Sequence, residues 1–289
     1  MKNCPYCRSP ASLFVRSGDR NRHVSSEVFS YFRCTECGLI FIDPIPTDLE
    51  PYYAGGYQPV PKTIAELRLL ASHEKYRLKP IMNKMGGDLL EIGPWIGIFS
   101  INAKDAGFKV DAIEMSDVAS SFLRETVGID VTTTNNPAEA LAAAKRYDVI
   151  AMWHSLEHFP SPWTVLEAAA NRLKPGGILL IAIPNIASLQ AKTLRENWFH
   201  LDAPRHLFFW APEDLARLIN AFGLETIALD TRDRLSQILS VGAWEHYIYS
   251  KVRIPLLRGV AAKLFSPLAH MLTQRNGQGA GLTAIFRAP

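Results

Sequence analysis

The sequence predicts a doubly wound α/β domain built on a mostly parallel seven-stranded sheet, with a small cysteine-ligated ribbon at its N-terminus and a helical insertion near its C-terminus. Three observations predict it. From Asp88 onward, apolar runs of strand length alternate with helical patterns, which specifies parallel strands covered on both faces. The first run, Asp88 to Ile92, passes through a glycine-bearing turn into a helix, the arrangement of a nucleotide cradle. All four cysteines lie in the first 37 positions, as two C-x-x-C pairs.

At 289 residues, 48% of them apolar and 20% charged, the chain can bury one large core and carry a smaller module beside it. The net charge of +3 arises from scattered basic residues and not from a stripe, so nucleic acid is not an expected partner. Met1 to Cys7 lacks the apolar core of a secretory signal. The longest membrane-span candidate, Ile254 to Leu272, is broken by Arg258, Lys263, Pro267 and His270. A cytoplasmic location is the expectation.

Residues 1–45 are expected to form a zinc ribbon. Cys4-x2-Cys7 and Cys34-x2-Cys37 can each set two thiolates on one cation from a tight knuckle, and Gly38 supplies permissive backbone after the second pair. The segments Ser12 to Arg16 and Glu27 to Arg33 alternate as short strands do. Two disulfides or a redox-active pair are the rivals; the missing secretory signal and the absence of a surrounding βαβ unit weigh against them. With Cys4, Cys7, Cys34 and Cys37 as ligands, Zn2+ has no open position, so its role is structural.

Residues 46–86 read as a connector and a helix. Asp43-Pro44-Ile45-Pro46 is extended. The loop Pro51-Tyr52-Tyr53-Ala54-Gly55-Gly56-Tyr57 either packs the connector onto the large domain or forms part of a lid. A helix over Ile64 to Lys84 follows, with a kink expected at Pro80.

Residues 87–232 form the large domain. After the turn containing Gly93 and Gly97, a helix covers Ile98 to Ala106 and stops at Gly107. The strand Phe108 to Ile113 ends at Glu114, twenty-one positions after Gly93, where a ribose diol would be held. Trp95 and Ile98 interrupt the G-x-G-x-x-G pattern, which disfavours a nicotinamide cofactor. A helix over Val118 to Thr126 ends at Gly128, and a strand over Ile129 to Thr133 follows. Asn135-Asn136-Pro137 then turns into the helix Ala138 to Lys145; Asn135 and Asn136 could read an adenine amino group or serve the turn alone. The strand Tyr147 to Trp153 discharges into His154-Ser155-Leu156-Glu157-His158-Phe159. Ser161-Pro162 starts a helix reaching Leu173, with serine as cap. Lys174 to Gly177 is a turn before the strand Ile178 to Ile183, which ends at Pro184-Asn185. Ligands of such sheets sit beyond the carboxyl ends of the strands, which gathers Gly93, Glu114, Asn135, His154 to His158 and Asn185 on one edge.

Farther along, Asn197-Trp198-Phe199-His200 lies in a long connection expected to wall an acceptor site, and Arg205 either pairs with a phosphate or carboxylate or faces solvent. Leu224 to Asp230 is the sixth strand; residues 279–289 supply a last one, Gly281 to Phe286, antiparallel to it. The insertion, residues 233–278, carries a helical stripe of Leu257, Val260, Ala261, Leu264, Leu268 and Met271 opposite Arg258, Lys263 and His270. That stripe packs on the protein itself or across a homodimer, or docks over residues 254–272 on an anionic membrane.

Several of these segments together resemble the class I S-adenosylmethionine-dependent methyltransferases over about Asp88 to Thr231, roughly half the chain. They are the Glu91-x-Gly93-x-x-x-Gly97 turn, Glu114, Leu156-Glu157-His158 and Leu173-Lys174-Pro175-Gly176-Gly177. The later Leu201-Asp202-Ala203-Pro204-Arg205-His206-Leu207 segment, and the helix opened by Ala211-Pro212-Glu213-Asp214-Leu215, are similar to those of small-molecule and sugar methyltransferases. The resemblance implies a Rossmann-like methyltransferase fold, S-adenosylmethionine as cofactor and a small-molecule acceptor. A nucleotide-linked sugar or glycan precursor leads, because some such members carry an N-terminal cysteine-ligated zinc module. It further implies Glu91, Gly93, Trp95, Gly97, Glu114, Asn135 and His154 along the cofactor, with Glu114 on the ribose hydroxyls.

Trp95 stands where the family usually has glycine; its ring either crowds the methionine end of the cofactor or turns outward and walls the pocket. The inward case leaves a non-catalytic binding or scaffold protein as the alternative. For removal of the acceptor's proton, His158 and His206 are the candidate bases and His154 the third, because imidazole titrates near neutral pH. Glu157 could orient one of them or simply favour a helix start.

Overall fold

The computed structural model describes residues 2–53, 59–232, 234–252, 254–273 and 277–289. Ala54 to Tyr57 of the tyrosine and glycine loop, and the side chains of Arg258, Ala261 and His270 in the insertion's stripe, lie outside what is described.

The ribbon is antiparallel, with β1 (Lys2–Asn3), β2 (Pro10–Gly18), β3 (Val28–Cys34) and β4 (Ile40–Ile42) in sequence order. Its sheet does not stop at the expected boundary. A fifth strand, β10 (Phe208–Phe209), arrives from the large domain and pairs Phe208 with Phe41 and Phe209 with Ile40. Tyr31, Ile40, Phe41, Phe208 and Phe209 are buried in one apolar cluster together with Ile150 and Ile181 of the main sheet. Ribbon and domain therefore share a core.

The connector contains α1 (Glu50–Tyr53) and α2 (Ile64–Ala71), the latter capped by Thr63, whose side chain accepts from the Glu66 amide. The single helix expected over Ile64 to Lys84 is not continuous: Ser72–Lys84 winds in tighter 3-10 turns. Two causes are visible. The Ser72 hydroxyl donates to the Leu69 carbonyl, and Pro80 has no amide to donate and crowds the preceding α-turn.

The large domain runs β5 (Asp88–Ile92), α3 (Ile98–Asp105), β6 (Lys109–Glu114), α4 (Asp117–Phe122), β7 (Asp130–Thr133), α5 (Pro137–Ala143), β8 (Tyr147–Trp153), α6 (Pro162–Asn171) and β9 (Leu173–Pro184). It continues with α7 (Leu189–Leu194), β10, α8 (Pro212–Ala221), β11 (Glu225–Asp230), α9 (Arg234–Lys251), α10 (Pro255–Thr273) and β12 (Gly281–Arg287). Among the described residues the main sheet has seven strands in the order β11-β12-β9-β8-β5-β6-β7. Only β12 opposes its neighbours, pairing antiparallel with both β9 and β11. Strand order reverses at β5, which lies between β6 and β8, so the carboxyl end of β5 opens on the crevice where such sheets take ligands. Every residue from Val149 to Trp153 is buried, as a strand covered on both faces requires.

Three local expectations need correction. Lys174 to Gly177 is not a turn between helix and strand but a bulged start of β9: Tyr147 pairs with Leu173 while Val149 pairs with Ile178, and Gly176 takes a φ of 66° to absorb the extra residues. Ser161 stands before α6, yet its side chain makes no capping bond; its carbonyl instead accepts from the Thr164 hydroxyl at 2.7 Å. Helix α4 ends in a single π-turn, Leu123–Val127, before Gly128 reverses the chain at φ 70°. In the insertion, α9 seats Trp244 against the main core, and α10 lies outside it with Phe265 edge-on to Trp244 at 6.0 Å.

Candidate active site

Three of the five residues from Gly93 to Gly97 hold positive φ: Gly93 at 72°, Trp95 at 51° and Gly97 at 77°. A non-glycine residue there costs about 1 kcal/mol, which concentrates strain in this turn. The turn is pinned to the next strand. Gly93 donates its amide to the Ile113 carbonyl at 2.8 Å, and Trp95 donates its amide to Glu114 Oε2 at 2.9 Å. Ser116 donates its amide to Glu114 Oε1 at 2.9 Å. Glu114 is thus a buried carboxylate at the tip of β6, and burial raises its pKa above the ordinary value.

The glycines have a further reason for being glycine. A Cβ on Gly93 would lie 2.7 Å from the Ser155 Cβ, and one on Gly97 would lie 2.5 Å from a Leu123 methyl. Ser155 in turn donates to the Ile92 carbonyl at 2.7 Å, locking the loop after β8 onto the turn after β5. The side of each glycine on which a Cβ would stand is thus occupied by protein.

Glu91, expected along the cofactor, is buried beneath the turn and accepts a hydrogen bond from Ser100, itself fully buried. Burial pushes its acid up to about 7. Asn135 is exposed after β7, while Asn136 caps α5 by accepting from the Glu139 amide. Turn formation therefore accounts for Asn136, and Asn135 remains open on the ligand edge. The Trp95 ring is half-buried against the cluster that also holds Ile96 and Phe99.

The loop after β8 and the one before β10 bring three histidines to one acid. Glu157 is fully buried in the 3-10 turn Leu156–His158, and among the described residues neither carboxylate oxygen has a partner within hydrogen-bond distance. His154 Nδ1 lies 3.6 Å and His206 Nε2 3.9 Å from Glu157 Oε1. The His158 and His206 rings meet edge-on at 4.7 Å. Donor-type atoms of Glu157, His158 and His206 lie within 4.8 Å of one another. His206 Nδ1 points at the His200 carbonyl (2.8 Å) and His158 Nδ1 at the Arg205 carbonyl (3.0 Å), which assigns the ring proton to Nδ1 in each neutral ring. Tyr53 Oη also reaches His158 Nδ1, at 2.9 Å.

Burial opposes ionisation of Glu157, but the imidazoles of His154, His206 and His158 hold it down at about 2. Burial, with the neighbouring His206, holds His158 down at about 4. At neutral pH the cluster is therefore an ionised acid beside a neutral His158 ring.

Sequence reasoning placed Arg205 on a ligand or in solvent; it is on neither. The guanidinium is 1% exposed and binds Asp202 through Nε (2.9 Å) and Nη2 (2.6 Å), Asp19 through Nη2 (2.8 Å), and the Tyr52 carbonyl through Nη1 (3.0 Å). Tyr31 donates its hydroxyl to the His206 carbonyl at 2.9 Å. Asp19 and Tyr31 were not singled out from the sequence, because nothing local pairs residues 186 and 175 positions apart. The expected acceptor wall is also corrected in part. Trp198 and His200 are buried, and the indole donates to Gln190 Oε1 at 3.0 Å, so only Asn197 and Phe199 of that stretch stay open.

At the ribbon's tip, Cys4 Sγ lies 3.7 Å from Cys37 Sγ and Cys7 Sγ 3.4 Å from Cys34 Sγ, and all four sulfurs lie within 4.8 Å of one another. A tetrahedral zinc with bonds of about 2.3 Å sets its sulfurs about 3.8 Å apart, so the four thiols fit that ion. The knuckles match each other: Arg8 and Gly38, each following the second cysteine of a pair, take φ of 67° and 73°. None of the four is in a disulfide.

The strand order, the single opposed strand β12 and the pinned glycine turn facing Glu114 define a Rossmann-like domain of the S-adenosylmethionine-dependent methyltransferase type. Residues 63–229, more than half the chain, match the family model described as a methyltransferase domain, and the chain belongs to that family. Its curated relatives include the ubiquinone biosynthesis O-methyltransferase of Cereibacter sphaeroides, 29% identical over 166 residues (54% of this chain, 65% of that protein). The same-named protein of Shewanella pealeana is 32% identical over 130 residues (42% and 55%). The chain thus spans between about half and two-thirds of these relatives' length. Among solved structures, an S-adenosylmethionine-dependent methyltransferase of Archaeoglobus fulgidus is similar at a TM-score of 0.50 and 17% identity, covering 75% of this chain and 94% of that one. The Haemonchus contortus phosphoethanolamine N-methyltransferase 2 is similar at 0.50 and 13%, covering 75% and 52%. These two likenesses are of fold.

Proposed function

We propose that this protein transfers a methyl group from S-adenosylmethionine to an oxygen of a small-molecule acceptor. One observation carries the reading: a glycine turn at the start of α3 is tied by the Trp95 amide to a carboxylate, Glu114, on the tip of the adjacent parallel strand. Glu114 would hold the ribose hydroxyls, Gly93, Trp95 and Gly97 would border the methionine portion, and Asn135 would meet the adenine. Glu91 would support the turn from below, and His154 would close the side toward β8. When bound, the cofactor supplies an electrophilic methyl group. The chain's own residues orient the acceptor, exclude water and receive its proton.

For that proton the cluster of His158, His206 and Glu157 is the assigned place, with Nε2 of His206 as the accepting atom and Glu157 stabilising the resulting imidazolium. His158 is the weaker base, being held down at about 4. His154 is the third candidate. The relatives' name, ubiquinone biosynthesis O-methyltransferase, supports oxygen as the methylated atom and a small-molecule acceptor. A nucleotide-linked sugar or glycan precursor is the second reading, favoured by the four-thiol ribbon, which we assign to structural zinc. Arg205 gives that reading no support, since its guanidinium is engaged by Asp19 and Asp202.

Calorimetric titration with S-adenosylmethionine, followed by methylation assays on phenolic and nucleotide-sugar panels, tests the proposal. Saturable cofactor binding with turnover on one panel is expected. Absence of cofactor binding would return the chain to the non-catalytic alternative, with the Trp95 ring in the cofactor's place.

A further inference from the structure

The outer helix of the insertion presents an apolar face that nothing in the described chain covers. On α10, Leu257, Val260, Leu264, Leu268 and Met271 are between 49% and 72% exposed, and their spacing of three and four residues puts them on one side of the helix. Ile254 and Phe265, 57% and 46% exposed, widen that side. Intramolecular packing, one of the outcomes expected from sequence, therefore does not account for the stripe. A contiguous apolar patch of this kind marks an interaction surface.

The charge around it says what that surface fits. Residues 232–278 contain seven basic and two acidic side chains, a net of +5, whereas the whole chain carries +3, so the remainder is slightly negative. From residue 246 to the end there is no aspartate or glutamate at all. Lys251, at the end of α9, and Lys263, on α10 itself, are exposed. A symmetric pairing of two copies through α10 would set a cationic surface against itself, since a two-fold interface apposes the same patch. An anionic lipid surface instead complements the charge and receives the apolar side chains. No described helix is long and apolar enough to cross a membrane, which leaves a helix lying in the interface plane.

We propose that α10 docks the protein reversibly on an anionic membrane surface. Its leucine face sits at the boundary between headgroups and acyl chains, and its flanking lysines lie at phosphate level. The inference does not depend on the methyl-transfer reading.

The test is co-sedimentation of the full chain with phosphatidylcholine vesicles and with vesicles containing phosphatidylglycerol, at low and high salt. Pelleting with the anionic vesicles only, weakened by salt, is expected. Lys263→Glu should weaken it roughly thirtyfold, a change of two charge units near the surface. The triple variant Leu257→Asp, Leu264→Asp, Leu268→Asp should abolish it while leaving the circular dichroism spectrum and cofactor titration unchanged, because all three positions are solvent-facing. A chain that pellets with neither vesicle, or equally with both, overturns the proposal. So does a dimer in light scattering that the same triple variant splits.

Discussion

Arg205 and Asp19, 186 residues apart in sequence, meet at 2.8 Å in the interior, the guanidinium 1% exposed and the carboxylate fully buried. Asp19 follows β2 of the ribbon, and Arg205 precedes β10; the Arg205 carbonyl also accepts from His158 Nδ1. The ribbon's acid is thus one residue removed from an imidazole of the candidate base cluster. Two carboxylates share the one cation, and both Asp19 and Asp202 are held below the usual carboxylate range, against the effect of burial, by bonds to Arg205.

Removing the cation should cost far more than removing a surface charge. Arg205→Ala strands two buried carboxylates and is expected to destabilise the chain by about 3–5 kcal/mol in urea unfolding. A loss under about 1 kcal/mol would mean water already shares that site.

The four thiols should bind one zinc per chain, read by metal analysis of the purified protein. Chelation, or Cys34→Ser, is expected to open the ribbon and expose the segment around β10, where Phe208 pairs with Phe41. Limited proteolysis would reveal new cuts in both segments together. Cuts in the first 45 residues alone would show that the shared sheet survives without metal.

Glu114 accepts two backbone amides and stands ready for ribose hydroxyls. Glu114→Gln keeps the shape but weakens the acceptor, and S-adenosylmethionine affinity should fall at least about tenfold by calorimetry. Unchanged affinity would remove the ribose assignment.

Burial raises Glu91 to about 7, so the folded state binds its proton more tightly than the unfolded chain does. The associated stability is complete below the ordinary glutamate range and is lost as pH rises through about 7. Glu91→Gln should flatten that dependence, recovering about 2–3 kcal/mol near pH 8 relative to the parent. Thermal melts across pH 5 to 8 measure it; parallel curves for the two proteins would place the acid elsewhere.

His158 is held down at about 4, so folding disfavours its proton; this contribution to stability is present above the ordinary histidine range and lost as pH falls through about 4. For turnover, His206→Ala should lower kcat by about 10²-fold or more, as loss of a general base does, with a smaller change in KM. His158→Ala is expected to act mainly through the placement of His206, whose ring it touches at 4.7 Å. A His206→Ala enzyme with undiminished kcat would show that the acceptor needs no such base.

Much of the fold was legible because its signals are local. Tyr147 to Trp153 is nearly all apolar and became a fully covered strand; Gly107 and Gly128 stop their helices at φ of 95° and 70°. The C-x-x-C pairs likewise encode their own knuckles, apart from Arg8, whose left-handed φ only the parallel with Gly38 could have suggested. What stayed hidden was set by distance along the chain. No local pattern announces that β10 belongs to the ribbon's sheet, that Arg205 is claimed by Asp19, or that Trp198 turns inward to Gln190. In the site, the positions of Gly93, Glu114, His154 and His158 were readable from the rule that strand ends hold ligands, whereas His206 came only from the resembling segment before β10. The packing reasons for the glycines were not, because Ser155 and Leu123 reach them only in three dimensions.

The pairing of β4 with β10 also has a consequence for biosynthesis. A ribosome releases residues 40–42 long before it has made residues 208–209, so the nascent ribbon emerges with one margin uncovered and keeps it so through most of translation. Trimming the chain ahead of residue 46 and halting synthesis short of residue 208 should therefore injure the same layer from opposite directions.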